Sequence, residues 1–319
     1  MNPAHSYTEC RSGLCITKVN GKTKFMYVYK KGMGGVKEAI KKSEALIEAL
    51  PYIKNFFEKV VVIKYGGAAV NESGIDRSVL EDIVFMNYAG MRPILVHGGG
   101  PLISKFMKKA GIEPRFIAGR RVTDKESIYI IDKALHSINQ QIVKALKGLG
   151  TKAFGLSGRE NGLIKVKKLS AEADLGFVGS VTSVDATVVR QLIEDNIIPV
   201  IYPLGIGRDR NLYNVNADDV ASEIAVALKA EKFVLLTNVR GIMKNKDDPS
   251  SLYNTLTIGD ISKLIKKEIV NSGMIPKAFA CVNAIKGGVK KAHILDAGIP
   301  HALLLEIFTD KGIGTEIVK

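Results

Sequence analysis

Beyond residue 58 the chain alternates short, wholly apolar runs with longer stretches whose apolar positions recur at helical spacing. The runs are KVVVIK (59–64), PILVHG (93–98), KAFGLSG (152–158), IIPVIYP (197–203), KFVLLT (232–237) and AHILDA (292–297). Several are β-branched and apolar throughout, as strands buried on both faces are. Helical spacing predicts helices over 78–89, 124–147, 185–195, 216–229 and 276–289. Strands alternating with helices predict an α/β fold with an open, mainly parallel sheet between helical layers. Residues 163–184 read as a hairpin insertion, and KNKDDPSS (244–251) is the most polar loop of the second half.

The front end follows a different pattern. Val36, Ile40, Ile47, Leu50, Ile53 and Phe57 fall close to helical spacing, with Pro51 inside, which predicts a helix over 36–57 kinked near Leu50. Such a helix packs either on its own domain or on another subunit. Before it, Asn20-Gly21 separates two β-rich runs, a hairpin signal. Met33 is a candidate alternative start, a hypothesis that the intact mass of the native protein tests.

Composition narrows the class. A chain of 319 residues, 46% apolar and 24% charged, suits two domains or one two-lobed unit with a sizeable core. No apolar run approaches the roughly 18 residues of a membrane span, and the start carries no signal-peptide core, so the expectation is a cytoplasmic protein with no membrane partner. Cys10, Cys15 and Cys281 are too scattered for a disulfide framework, and the first two lack a second pair for a metal site. The net charge of +14 is spread along the chain, aromatics are 7% and Trp is absent, which favours anionic small substrates or an acidic partner over nucleic acid.

The triple glycine of ILVHGGGP (94–101) fits neither G-x-G-x-x-G nor the Walker pattern. A strand that ends in bare amides before a helix opening near Pro101 is either a tight turn or an anion cradle. VIKYGGAA (62–69) repeats the arrangement, with Lys64 at a buried strand end that demands a cleft or an acid. YNVNADD (213–219) sets Asp218 at a helix start, where an N-cap explains Asn216 but not Asn214. SGMIPKAFA (272–280) places Lys277 in a first helical turn, where the helix dipole disfavours a cation unless an anion lies beside it. Two glycine loops, two lysines and an aspartate able to hold both describe a phosphoryl-transfer site. Cys281 reads as core, no histidines have metal-ligand spacing, and His97 is either a supporting residue or an active one.

Taken in order, VIKYGG, ILVHGGGP, GRRVTD, GLSGRENGLIKVKK, YNVNADD, SGMIPK and PHALLLEIFTDKGIGT closely resemble the N-acetyl-L-glutamate kinases of the amino acid kinase family, over residues 36–319. The resemblance implies a three-layer αβα sandwich of two lobes, 59–229 for the amino acid and dimerisation and 230–319 for ATP. It implies phosphorylation of the N-acetylglutamate side-chain carboxylate with ATP and Mg²⁺, the second step of arginine synthesis, the metal being held mainly by ATP phosphates. Lys64 and Lys277 then flank the transferring phosphoryl group and Asp218 orients both. Gly66 and Gly67 donate amides to ATP, and Gly99 and Gly100 hold the acceptor's reacting end. Arg121 grips the α-carboxylate, Asn214 and Asn216 shape the substrate pocket, and Thr237, Asn238, Gly273 and Met274 lie near the nucleotide. An ionised carboxylate acceptor, with a free value near 4.3, needs no general base, in keeping with the absence of a convincing one.

Two positions depart from the family pattern: Asn238 stands where Asp is usual in the LLTD turn, and Ser104 replaces an Asn. The helix at 36–58 and the C-terminal tail resemble the members inhibited by arginine, which are hexamers of interlaced dimers. That implies a homo-oligomer, dimer or hexamer, with arginine between the helix and the C-lobe, Glu306 facing its guanidinium, Gly312 offering backbone and His301 nearby. The alternative for Glu306 is a surface carboxylate ending a helix. Competing readings are a kinase of a carrier-protein-bound aminoadipate or glutamate and a non-catalytic arginine sensor. Residues 1–35 carry no assignable role.

Overall fold

The computed structural model describes residues 7–11, 14–19, 22–27, 33–66, 70–71, 74–270, 273–309 and 312–319, in two compact units, Met1–Lys54 and Asn55–Lys319. In the first unit β1 (Tyr7–Arg11), β2 (Leu14–Val19) and β3 (Lys22–Tyr27) pair antiparallel in that order, with Val19 opposite Lys22 at the hairpin end. The Asn20-Gly21 turn and the side chains of Cys10 and Cys15 lie outside the described residues. Helix α1 (Met33–Phe56) carries Pro51 inside it. Its apolar positions Val36, Ile40, Leu46, Ile47 and Leu50 are exposed.

The second unit opens with β4 (Val60–Tyr65), β5 (Val70–Asn71), β6 (Gly74–Ile75), α2 (Arg77–Tyr88), β7 (Arg92–His97), α3 (Gly100–Lys109), β8 (Phe116–Ile117), β9 (Arg120–Arg121) and α4 (Lys125–Gly148). It continues with β10 (Ala153–Ser157), β11 (Ile164–Lys168), β12 (Gly179–Val184), α5 (Thr187–Glu194), β13 (Ile198–Tyr202), β14 (Leu204–Gly207), β15 (Leu212–Asn214) and α6 (Ala217–Ala227). Then come β16 (Lys232–Thr237), β17 (Thr255–Thr257), α7 (Ile258–Lys266), α8 (Met274–Lys286), β18 (Lys291–Asp296), α9 (Ala302–Ile307) and β19 (Thr315–Val318).

Eight strands form the main sheet in the order β10-β13-β7-β4-β16-β18-β19-β17. The first six run parallel, β19 turns antiparallel to β18, and β17 lies parallel to β19. Alternation along the strands decides which helices cover each face. Val62, Ile94, Val96, Phe233 and Leu235 pack with Val189 of α5, Ile224 of α6 and Cys281 of α8. Val61, Ile63, Leu95, Val234 and Leu236 pack with Ile83 of α2, Ile142 of α4 and Leu303 of α9. Both faces are dry, so the strands are apolar throughout and the three-layer αβα sandwich follows. A second sheet, β12-β11-β14-β15, contains the expected hairpin: β11 and β12 pair antiparallel, and β15 ends at Asn214.

Candidate active site

The last strand residues and the first helix turns bring the predicted lysines and aspartate together. Lys64, next to last in β4, points its Nζ at Asp218 Oδ1 at 2.7 Å. Lys277, in the first turns of α8, places its Nζ 3.1 Å from Asp218 Oδ2. One carboxylate thus bridges two ammonium groups, leaving a net positive charge of one. Burial alone pushes the Asp218 carboxyl up, but Lys64 and Lys277 outweigh that and hold it below its ordinary value. Its backbone N–H donates to Asn216 Oδ1 at 2.7 Å, so Asn216 caps α6 and sets the turn from which Asp218 projects. Asp218 and Lys64 are buried, while Lys277 remains partly open to a cleft.

The glycine loops meet beside this triad. A Cβ on Gly66 would lie 2.2 Å from Lys64 Nζ, so only glycine leaves that ammonium its place. Gly67 lies outside the described residues. A Cβ on Gly98 would sit 3.8 Å from Gly66 Cα and 3.9 Å from the Ala217 Cβ, which puts both loops against the start of α6. A Cβ on Gly99 would strike Ile138 Cδ1 at 2.5 Å, whereas one on Gly100 would meet nothing within 4 Å. Packing on α4 accounts for Gly99; the space over Gly100 is left for something else.

Arg121, buried on β9, borders that space. Its Nη2 donates to the Gly100 carbonyl at 2.9 Å and to Ser104 Oγ at 2.8 Å, and its guanidinium lies 4.6 Å over the Phe116 ring. Ser104, one of the two departures from the family pattern, therefore helps fix the guanidinium. Among the described residues no carboxylate pairs with Arg121, and its burial lowers its pKa. Thr123 Oγ1 donates to the Arg121 carbonyl at 3.0 Å and accepts from Asn214 Nδ2 at 3.4 Å, so Asn214 belongs to the same wall. Arg120 reaches Asp219 at 3.5 Å, joining this hairpin to α6.

A cavity of about 400 Å³ opens on Lys277. Thr237 and Asn238 at the end of β16 and Gly273 and Met274 at the start of α8 line it, as the resemblance implies. Thr237 Oγ1 donates to Asn238 Oδ1 at 3.3 Å. Gly241, Met243, Lys246 and Ile269 also line it and carry no motif, although Lys246 falls in the polar loop. Gly241 has a φ of +145°, and a Cβ there would meet Thr315 Oγ1 at 2.5 Å.

The residues expected to face arginine divide into two groups. Glu306 is buried, not a surface carboxylate: Oε1 contacts His293 Nδ1 at 2.7 Å and Oε2 accepts the Ile313 N–H at 2.8 Å. Gly312 adopts a φ of +55° beside it, where a Cβ would lie 3.0 Å from Oε2. Lys232 Nζ sits 3.2 Å from His293 Nε2, so two residues that spacing alone did not single out complete this cluster. His301 instead contacts Asp82 Oδ1 of α2 at 2.6 Å.

An αβα sandwich that gathers two lysines, an aspartate and glycine turns at its strand ends defines a phosphotransferase scaffold. The chain belongs to the amino acid kinase family, whose model matches residues 59–296. It is 48% identical over 283 residues to the acetylglutamate kinase of Petrotoga mobilis, covering 88% of this chain and 95% of that one. The acetylglutamate kinase of Caldanaerobacter subterraneus is 47% identical over 283 residues, with the same coverage. Among solved structures, N-acetylglutamate synthase of Neisseria gonorrhoeae, complexed with coenzyme A and N-acetyl-glutamate, superposes with a TM-score of 0.77 at 25% identity. That match covers 87% of this chain and only 63% of the synthase.

Proposed function

We infer that the protein transfers the γ-phosphoryl group of ATP to the side-chain carboxylate of N-acetyl-L-glutamate, the second step of arginine synthesis. The observation that carries the acceptor side is Arg121, a buried guanidinium without a carboxylate partner among the described residues, fastened to the loop that opens beside the Lys64–Asp218–Lys277 triad. Its planar fork suits the substrate's α-carboxylate. Asn214 and Asn216 complete that pocket, and the reacting carboxylate lies over Gly99 and Gly100. ATP occupies the cavity bounded by Thr237, Asn238, Gly273 and Met274, with its phosphates reaching Gly66, Gly67, Lys64 and Lys277. Residues 59–229 form the amino-acid lobe and 230–319 the nucleotide lobe.

The acceptor carboxylate attacks the γ-phosphorus, the bond to the β,γ-bridging oxygen breaks, and ADP leaves without any proton moving at the acceptor. The obstacle is repulsion between two anions. Lys64 and Lys277 offset it where charge develops, and Asp218 keeps both ammonium groups aimed without needing to reorganise. Magnesium supplies further charge neutralisation when bound. The ion would be held mainly by ATP phosphate oxygens and water, the ligation magnesium favours in phosphoryl transfer.

Arginine acts as a feedback inhibitor at Glu306 and Gly312, where an incoming guanidinium competes with His293 for the carboxylate, and His301 takes a supporting part. The chain works in the cytoplasm as a homo-oligomer joined through residues 36–58. Asn238 and the +14 charge favour a second reading, phosphorylation of an aminoadipate or glutamate carried on an acidic protein. ADP release with Mg-ATP and, in parallel, N-acetylglutamate, glutamate or N-acetylaspartate, each with and without arginine, separates these. Turnover with N-acetylglutamate alone supports the kinase, and its suppression by arginine supports regulation. No turnover with any free amino acid overturns the first reading in favour of the carrier-bound substrate.

A further inference from the structure

His97 ends β7 immediately before the acceptor loop and is fully buried, yet the transfer chemistry has no use for it. Its surroundings fix where its proton sits. Asn139 Nδ2 lies 2.8 Å from the Val200 carbonyl, which can only accept, so the amide nitrogen faces that way. The same nitrogen lies 3.1 Å from His97 Nε2, which must therefore be the bare, accepting nitrogen. The ring proton is then on Nδ1, which donates to the Gly98 carbonyl at 2.9 Å. Turning the Asn139 amide over would set two oxygens against each other at Val200. The oxygen it keeps in place, Asn139 Oδ1, has no hydrogen-bond partner among the described residues, and a Cβ on Gly155 would lie 1.9 Å from it.

The consequence reaches the reacting end. A trans peptide points its C=O and the following N–H in opposite directions. With the Gly98 N–H bonded to the Tyr65 carbonyl at 2.9 Å and its own carbonyl held by His97, the Gly99 N–H is turned away from His97. Gly99 donates to no acceptor among the described residues. We propose that Asn139 and His97 form a positioning relay from α4 to the acceptor loop, in which a neutral His97 with its proton on Nδ1 sets the Gly98–Gly99 peptide so that the Gly99 N–H faces the acceptor carboxylate. This rests on the acceptor assignment above. His97 acts through the peptide and exchanges no proton with substrate, since both ring nitrogens are engaged. Complete burial, which pushes its pKa down to about 4, keeps the imidazole in the uncharged form the relay requires.

The test joins a spectroscopic and a kinetic readout. In full-length protein labelled with [15N]histidine, the His97 ring should show its proton on Nδ1 and should not titrate around the ordinary value of 6.5. His97→Ala should raise the KM for N-acetylglutamate about tenfold, the effect of one misdirected hydrogen bond, with the ATP KM within about twofold. His97→Asn, whose amide nitrogen stands where Nδ1 stood, should recover most of the loss. A proton on Nε2, titration near 6.5, equal shifts in both KM values, or an Asn variant no better than Ala would each overturn the relay. If His97→Ala does not fold, the wild-type spectrum decides alone. Absence of turnover by the wild type with N-acetylglutamate sinks the acceptor assignment, while the spectrum still tests the Asn139–His97–Gly98 geometry.

Discussion

Two buried clusters in the same sheet use nearly the same residues to opposite ends. At the close of the parallel strands, Asp218 holds Lys64 and Lys277; near their beginning, Glu306 holds His293, with Lys232 behind it. The strand register separates them: Lys64 pairs with Leu235 near the end of β16, whereas Lys232, the first residue of β16, pairs with Val61. The first cluster keeps a surplus cation and opens through Lys277 on a cavity. In the second, both Glu306 oxygens are occupied by the protein itself. A lysine beside an acid is therefore not a site in itself. Substrates of open α/β sheets gather at the carboxyl ends of strands, where helix N-termini aim inward; only the first cluster lies there, so the second, proposed above for an effector, takes no part in the transfer.

The contrast breaks most easily at its lysines. Lys277→Met should lower kcat by about a thousandfold, the scale of losing one preorganised charge at the reacting centre. Glu306→Gln, which leaves the His293–Lys232 pair without its anion, should lower Tm and keep kcat without arginine within about threefold. If both variants lost activity alike in steady-state assays, the distinction between a reacting and a closed cluster would be wrong.

Stability against pH comes next. Burial lowers the pKa of His97 to about 4, and it also lowers that of His293 against the opposing bond to Glu306. The unfolded imidazoles take up protons near 6.5 while the folded ones do not, so this contribution is complete above 6.5 and is lost as pH falls. For His97 the loss is spread from 6.5 down to about 4 and amounts to roughly 3 kcal/mol. His301, raised by its bond to the buried Asp82, acts in the opposite sense from an exposed position. Urea unfolding across that window should show stability rising with pH, and His97→Asn should flatten the slope.

Gly66→Ala sharpens the first cluster. The Cβ would displace the far end of a flexible lysine rather than backbone, so the fold should survive with kcat down about tenfold to a hundredfold. An unchanged kcat would show that Lys64 does not need its present position. The smallest effect is expected at Asn238: restoring the carboxylate with Asn238→Asp should shift the KM for Mg-ATP by only a few-fold, because the residue lines the cavity away from the triad's own contacts. A change in kcat beyond tenfold would place Asn238 nearer the reaction than the structure does.

Much of the scaffold was legible beforehand. All six predicted core strands appear within a residue or two, as do α2, α4, α5 and α6, because a strand buried on both faces and an amphipathic helix write their surroundings into local spacing. Helix α8 starts two residues and ends three residues earlier than expected. The 163–184 hairpin appears as β11 and β12. Short elements escaped: β17, α7, α9 and the antiparallel edge strand β19 are too brief or too polar for periodicity to separate them from loops. Lys64, Asp218 and Lys277 were legible as residues out of place, a buried cation and a cation at a helix N-terminus. Met243, Lys246 and Ile269 were not, since nothing in their neighbours announces a cavity.

By itself, then, the sequence determined the alternation of strands and helices, the positions of the glycine turns, the Asn216 cap and the identity of the charged residues. Tertiary structure decided which of those charges meet. Asp218 and Lys277 are 59 residues apart, and His97 and Asn139 42 apart. Such pairs depend on which strands become neighbours and in what register, information that local periodicity does not carry. The same holds for the proton on His97: a tautomer is set by the partners of both ring nitrogens, and here those partners come from α4 and from the loop the ring supports.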